Sequence, residues 1–146
     1  MTDDWHRGLD QLAAADFWQA HESWEAIWRD LPDDSAAREA TQALIQFAAA
    51  CYKVQQARQG RAPANMQQGM AALVDLARGH LDNAADGAPP TTSWPHALLR
   101  EALDRLDELL ARWRDTDDLE ATDAVVHRLA DQLASRLLDY DRAVAN

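Results

Sequence analysis

The chain has 146 residues, with 14 basic and 25 acidic side chains and a formal net charge of −11. That field repels nucleic acid and anionic membrane, and the densest basic stretch, Lys53, Arg58 and Arg61, sets only three charges among glutamines. Neither nucleic acid nor membrane is expected as a partner, a cation suits the field, and the acidity also serves to keep an Ala- and Leu-rich chain soluble. The length fits a single domain, residues 1–146, large enough to bury most of its apolar surface without cross-links. With no charged leader and no run approaching ~18 apolar residues, the expectation is a cytoplasmic protein.

Apolar residues recur at helical spacing almost throughout. A short helix over about Trp5 to Ala14 leads to Asp16, which with Gln19 forms a capping box and opens an aromatic helix that stops before Leu31-Pro32-Asp33-Asp34. Phe17, His21, Trp24 and Trp28 share one face of it, with Trp18 and Glu25 on a flank and Glu22 further round. His21 and Glu25 are thereby carried toward the core. Polar groups there need partners, because an unpaired one costs roughly 1–3 kcal/mol.

Asp34 or Ser35 caps a long helix to about Gln59, ended by Gly60, with Leu44, Ile45, Phe47, Ala48, Cys51, Tyr52 and Val54 on its apolar face. Its small residues Ala48, Ala49, Ala50 and Cys51 allow the aromatic helix to approach closely. Cys51 is the only cysteine, which excludes an intrachain disulfide, suits a reducing compartment and reads as a small buried thiol. A fourth helix from about Ala64 to Leu81 carries Met66, Met70, Leu73, Val74 and Ala77, the methionines as core filler. Asn83 to Ser93 reads as a loop, with Gly87, Pro89 and Pro90 as turn residues.

Trp94-Pro95 then opens a helix with Leu99, Leu103, Leu106, Leu110 and Trp113 in a near-heptad stripe. An Asp117-x-x-Glu120 capping box opens the last helix, striped by Val125 or Val126, Leu129, Leu133, Leu137 and Tyr140. The two should pair antiparallel over about residues 95–142. The fold expected is all-α, five or six helices, with the aromatic helix packed on the long Ala-rich one and the C-terminal pair completing the core.

His21 and Glu25 stand four residues apart, the spacing by which one helix offers two ligands to one metal. Glu22 resembles the water-activating glutamate of the His-Glu-x-x-His zinc proteases, but Glu25 stands where the second histidine would be, and a catalytic zinc generally needs a third protein ligand. His6 with Asp10 and Asp123 with His127 repeat the spacing and read as solvated faces. The Glu-x-x-His motif of di-iron bundles does not occur. A neutral histidine at position 21 also serves structure alone, donating from one ring nitrogen to Glu25 or a carbonyl and accepting at the other.

The stretch from His21 to Arg29, followed by Leu44-Ile45-Gln46-Phe47-Ala48-Ala49-Ala50-Cys51-Tyr52, resembles the domain of unknown function 309 family of small helical prokaryotic proteins. The family signature His-x-x-x-Glu-x-x-Trp is matched by His21, Glu25 and Trp28, with Glu22 as the glutamate that usually follows the histidine. Leu44, Ile45, Gln46 and Tyr52 match a second block, and the likeness covers about Leu9 to Leu81. Lys53 stands where the family often has a histidine, and Gln59-Gly60-Arg61 where it has a Gly-Asn turn. The resemblance implies a helical fold and a set of positions, without a reaction.

Two readings follow. In the first, the protein is a small helical binding or assembly module in which His21, Glu25, Trp28, Gln46 and Tyr52 shape a buried network or pocket. Its partner is a small molecule, another protein or a second copy of itself. In the alternative it is a metal-dependent hydrolase, with His21 and Glu25 as ligands to a divalent metal and Glu22 as general base toward metal-bound water. Both expect His21 and Glu25 to be mostly buried and within reach of each other, of Gln46, or of a shared ion or water.

Overall fold

The computed structural model describes residues 3–87 and 95–145. These form α1 (Asp3–Ala13), α2 (Phe17–Asp30), α3 (Ala36–Arg58), α4 (Pro63–Gly87), α5 (His96–Thr116) and α6 (Leu119–Ala145), with no strand among the described residues. The all-α expectation is met with six helices.

The centre of the packing is α3, which touches α2, α4, α5 and α6. Its residues Ala43, Leu44, Phe47, Ala48, Ala50, Cys51 and Val54 are all buried, because a stripe that alternates small and large side chains lets neighbours close in on several sides. The aromatic helix α2 does pack on it, but the most extensive partner of α3 is α4. A short turn joins α3 and α4 as an antiparallel hairpin, and Met70, Val74, Ala77, Leu81 and Ala84 of α4 are fully buried. Burial pushes the titration of the Cys51 thiol far up, so it behaves as an inert apolar group. No helix among the described residues is long and apolar enough to cross a membrane.

Helix ends depart from expectation in three places. Asp16 occupies the N-cap position of α2, yet its side chain makes no capping hydrogen bond, so the capping box with Gln19 is not formed. The chain leaves α1 through a Schellman turn instead: Asp16 N–H donates to Gln11 O at 2.8 Å, Ala15 N–H to Leu12 O at 3.0 Å, and Ala15 takes a left-handed φ of 60°. That turn leaves Asp16 at φ −93°, ψ 69°, away from the extended backbone an N-cap side chain needs. Asp117 likewise closes α5 in the left-handed region, and Asp118 caps α6, its Oδ1 accepting from Ala121 N–H at 3.0 Å. The expected Asp117/Glu120 box is thus replaced by a cap one residue later. Helix α4 runs past Leu81 to Gly87, because Ala84 continues its buried stripe by another turn. Of the expected loop Asn83–Ser93, the part to Gly87 is helical and residues 88–93 lie outside the described residues.

At the start of α3 the choice between two caps resolves to Ser35, whose Oγ accepts from Arg38 N–H at 3.1 Å. Asp34 makes the preceding turn with φ 61°. At its end Gly60 has φ 100°, a conformation that L side chains avoid, and Arg61 N–H reaches back to Gln56 O at 3.0 Å.

Helix α1 is tied to both α2 and α6. Trp5 Nε1 donates to Asp141 of α6, and Trp24 Nε1 donates to the Trp5 carbonyl at 3.3 Å. The contact needs a glycine opposite the indole: a Cβ built at Gly8 would lie 2.1 Å from Trp24 Nε1. Replacing a helix-interior glycine with alanine normally stabilises by roughly 0.5–1 kcal/mol. Here Gly8→Ala should instead destabilise by about 1–3 kcal/mol through overpacking, read as a lower urea midpoint at unchanged slope.

Candidate functional site

Helices α2 and α3 run antiparallel, a register fixed by contacts near both ends. Trp18 meets the Tyr52 ring at 5.4 Å, and ten residues along α2 the Arg38 guanidinium lies 3.9 Å over the Trp28 ring. Arg38 also donates to the carbonyls of Trp28 at 3.2 Å and Leu31 at 2.9 Å, satisfying the C-terminal end of α2. The part of α3 that carries Gln46 therefore runs beside the segment His21–Glu25.

On that segment His21, Glu22 and Glu25 each offer a donor atom, and the three atoms lie within 4.8 Å of one another. Among the described residues no other group of three or more His, Cys, Asp or Glu side chains converges in this way. Glu25 Oε2 stands 3.6 Å from His21 Nδ1, a distance for an ion pair and too long for a hydrogen bond. Arg29 approaches the other Glu25 oxygen at 3.6 Å from the solvent side.

The cluster sits on the rim of the core. Side-chain exposure is 19 % for His21 and 29 % for Glu25, and Glu22 is exposed. Most of each of the His21 and Glu25 side chains is buried, as expected, but the fully buried stripe of α2 is Phe17, Ala20 and Trp24, which leaves His21 and Glu25 on its flank. His21 Nδ1 itself is nevertheless buried and has no hydrogen-bond partner. Gln46 is buried, and its Oε1 is also without a partner. No hydrogen bond joins Gln46 to His21 or Glu25 among the described residues.

Aromatic rings complete the surroundings. The His21 imidazole stacks on Trp18, with 4.9 Å between centroids and 15° between planes, and Tyr52 closes on the same indole at 41°. Trp18 was legible in the sequence only as a flanking residue; its contact with His21 comes from the three-residue spacing that stacks neighbouring turns. Trp28 does not join the group. It walls a separate hollow of about 310 Å³ with Asp33, Arg38, Glu39, Gln42 and His80, where His80 Nδ1 and Glu39 Oε2 are 2.6 Å apart. Arg38 carried no signal in the sequence beyond its place one turn inside α3.

The two remaining spaced pairs lie away from the cluster. His6 is exposed and approaches Asp141 at 3.9 Å rather than Asp10, because α6 passes beside α1. His127 lies 3.5 Å from Asp123 with its ring edge toward Phe17.

An imidazole nitrogen and two carboxylates within one small volume form a donor set suited to a borderline divalent ion such as zinc, which takes nitrogen and oxygen ligands. No curated protein and no solved structure matches the chain at a significant level. A family model does match, over α1, α2, α3 and the first residues of α4, and it ends short of Leu81, where the sequence likeness was placed. That match, over residues 5–64, is to the model described as Domain of unknown function (DUF309), and it contains His21, Glu25, Trp28, Gln46 and Tyr52.

Proposed function

We infer that the protein is a small helical binding module that takes a divalent metal on the His21/Glu22/Glu25 flank of α2. The observation that supports this reading is the convergence of three donor atoms within 4.8 Å. The buried, unpaired His21 Nδ1 adds to it, since a buried polar group without a partner calls for one. A network satisfied within the protein would instead join His21, Glu25 and Gln46 by hydrogen bonds, whereas His21 and Glu25 stand only at ion-pair distance and Gln46 Oε1 has no partner.

Glu22 decides between binding and hydrolysis. Helical spacing alone supplied two ligands, and Glu22, close enough to share the same ion, supplies the third. A general base has to stand off the metal to accept a proton from bound water. Assigning Glu22 that task leaves two protein ligands, fewer than the three of catalytic zinc sites. Two carboxylates also offset the charge of a divalent ion, in keeping with the net charge of −11.

Melting of chelator-treated protein tests the reading. Zinc at about 100 times its Kd should stabilise the native state by roughly 2.7 kcal/mol, raising Tm by several degrees. Glu22→Gln should weaken zinc binding about as much as Glu25→Gln does, whereas a general base could be removed with the affinity intact. Unchanged melting with zinc, manganese and iron alike would overturn the reading, because a ligand that binds only the native state must stabilise it.

A further inference from the structure

Trp18, with 46 % of its surface accessible, is one of two large apolar side chains exposed among the described residues, the other being Leu76 on α4. A solitary exposed apolar side chain needs no explanation, and Leu76 is of that kind. Trp18 differs in its neighbours. Its indole lies nearly parallel to the His21 imidazole and meets Tyr52 at a tilt, so the aromatic rings and the donor set of α2 share one patch of surface. Among the described residues the Tyr52 hydroxyl makes no hydrogen bond.

A metal bound through a ring nitrogen lies in the plane of its imidazole. The indole stacks on that imidazole and is half exposed, so a flat group carried on such a metal comes within reach of the accessible surface of Trp18. We propose that the site takes a planar aromatic acid, its carboxylate on the metal and its ring against Trp18 and Tyr52. The proposal rests on the reading of His21, Glu22 and Glu25 as metal ligands. A carboxylate is the fitting donor, since borderline divalent ions accept oxygen ligands at positions the protein leaves open. A single carboxylate is the fitting charge: Glu22 and Glu25 already balance the ion, and the net charge of −11 repels polyanions. The aromatic part follows from Trp18 and Tyr52, because aromatic pairs in offset-stacked or tilted geometry gain more than the area they bury.

Calorimetry on the whole protein at saturating zinc, titrated with benzoate and with cyclohexanecarboxylate, tests this directly. The two acids have the same donor and nearly the same size, and only one has a π face. Benzoate should bind about tenfold more tightly. Trp18→Ala should erase that preference, and so should Trp18→Leu, which keeps apolar bulk without the ring system, with zinc stoichiometry unchanged in both. Equal binding of the two acids by the unmodified protein overturns the proposal and leaves the metal reading standing, as does a preference that survives in Trp18→Ala with zinc in place. Absence of zinc binding to the unmodified protein overturns both.

Discussion

Trp24→Ala should destabilise the protein by about 3–5 kcal/mol, the range for truncating a fully buried tryptophan or phenylalanine. Trp24 has no accessible surface, stacks at a tilt on Trp5 with 6.1 Å between centroids, and donates its indole N–H to the Trp5 carbonyl. Truncation opens a cavity between α1 and α2 and removes the donor from a buried carbonyl. Such a loss is a large fraction of the roughly 5–15 kcal/mol that holds a domain together. Trp24→Phe should cost less, retaining most of the ring volume but not the hydrogen bond. Trp18→Ala should cost less still, because half of that side chain is already in water. Urea unfolding at unchanged slope measures all three, and equal losses for Trp18→Ala and Trp24→Ala would contradict this packing.

His21→Ala should weaken zinc binding by at least about 100-fold, since groups that merely orient a metal ligand are already worth about 10–100-fold. Its effect on metal-free stability should be small. No hydrogen-bond partner is stranded when the imidazole is removed, so the loss is the stack on Trp18, about 0.5–1.5 kcal/mol. Affinity in the unmodified protein should fall as pH falls, because imidazole and carboxylates must shed their protons to act as ligands. Competition with a chromophoric zinc chelator reads both effects. A variant that loses stability while its zinc affinity is unchanged would assign His21 a purely structural role.

Helical periodicity made the six elements and most of the core readable, because the buried stripes of α3, α5 and α6 are long enough to override local exceptions. Helix ends were less readable. Whether Asp16 or Asp117 caps a helix depends on the backbone that the preceding turn hands to it, and the left-handed Ala15 is not signalled by its side chain, while an aspartate such as Asp117 suits an N-cap and a left-handed turn alike. In α4 the stripe beyond Leu81 continues through a single alanine, Ala84, too weak an apolar signal to extend a helix from sequence.

At the site, the four-residue spacing of His21 and Glu25 placed them together, as the structure finds at 3.6 Å. Their burial was readable in outline, but a wheel with Phe17, Trp24 and Trp28 on it does not say that Ala20, on the other side of Trp24, lies deeper than His21. Glu22 follows His21 directly and so sits well round the helix from it. Its three-residue spacing from Glu25 makes those two carboxylates neighbours, and Glu25 in turn stands four residues from His21, so the group of three follows from two spacings taken together. Gln46 was placed on the right helix, but its amide direction depends on packing that the sequence does not contain.

The most direct measurement is isothermal titration of zinc into chelator-treated protein, beside His21→Ala, Glu22→Gln and Glu25→Gln. Zinc should bind at a single saturable site per chain, lost in the first variant and weakened in both others. Absence of binding, or binding that all three variants retain unchanged, would contradict a metal site on the flank of α2.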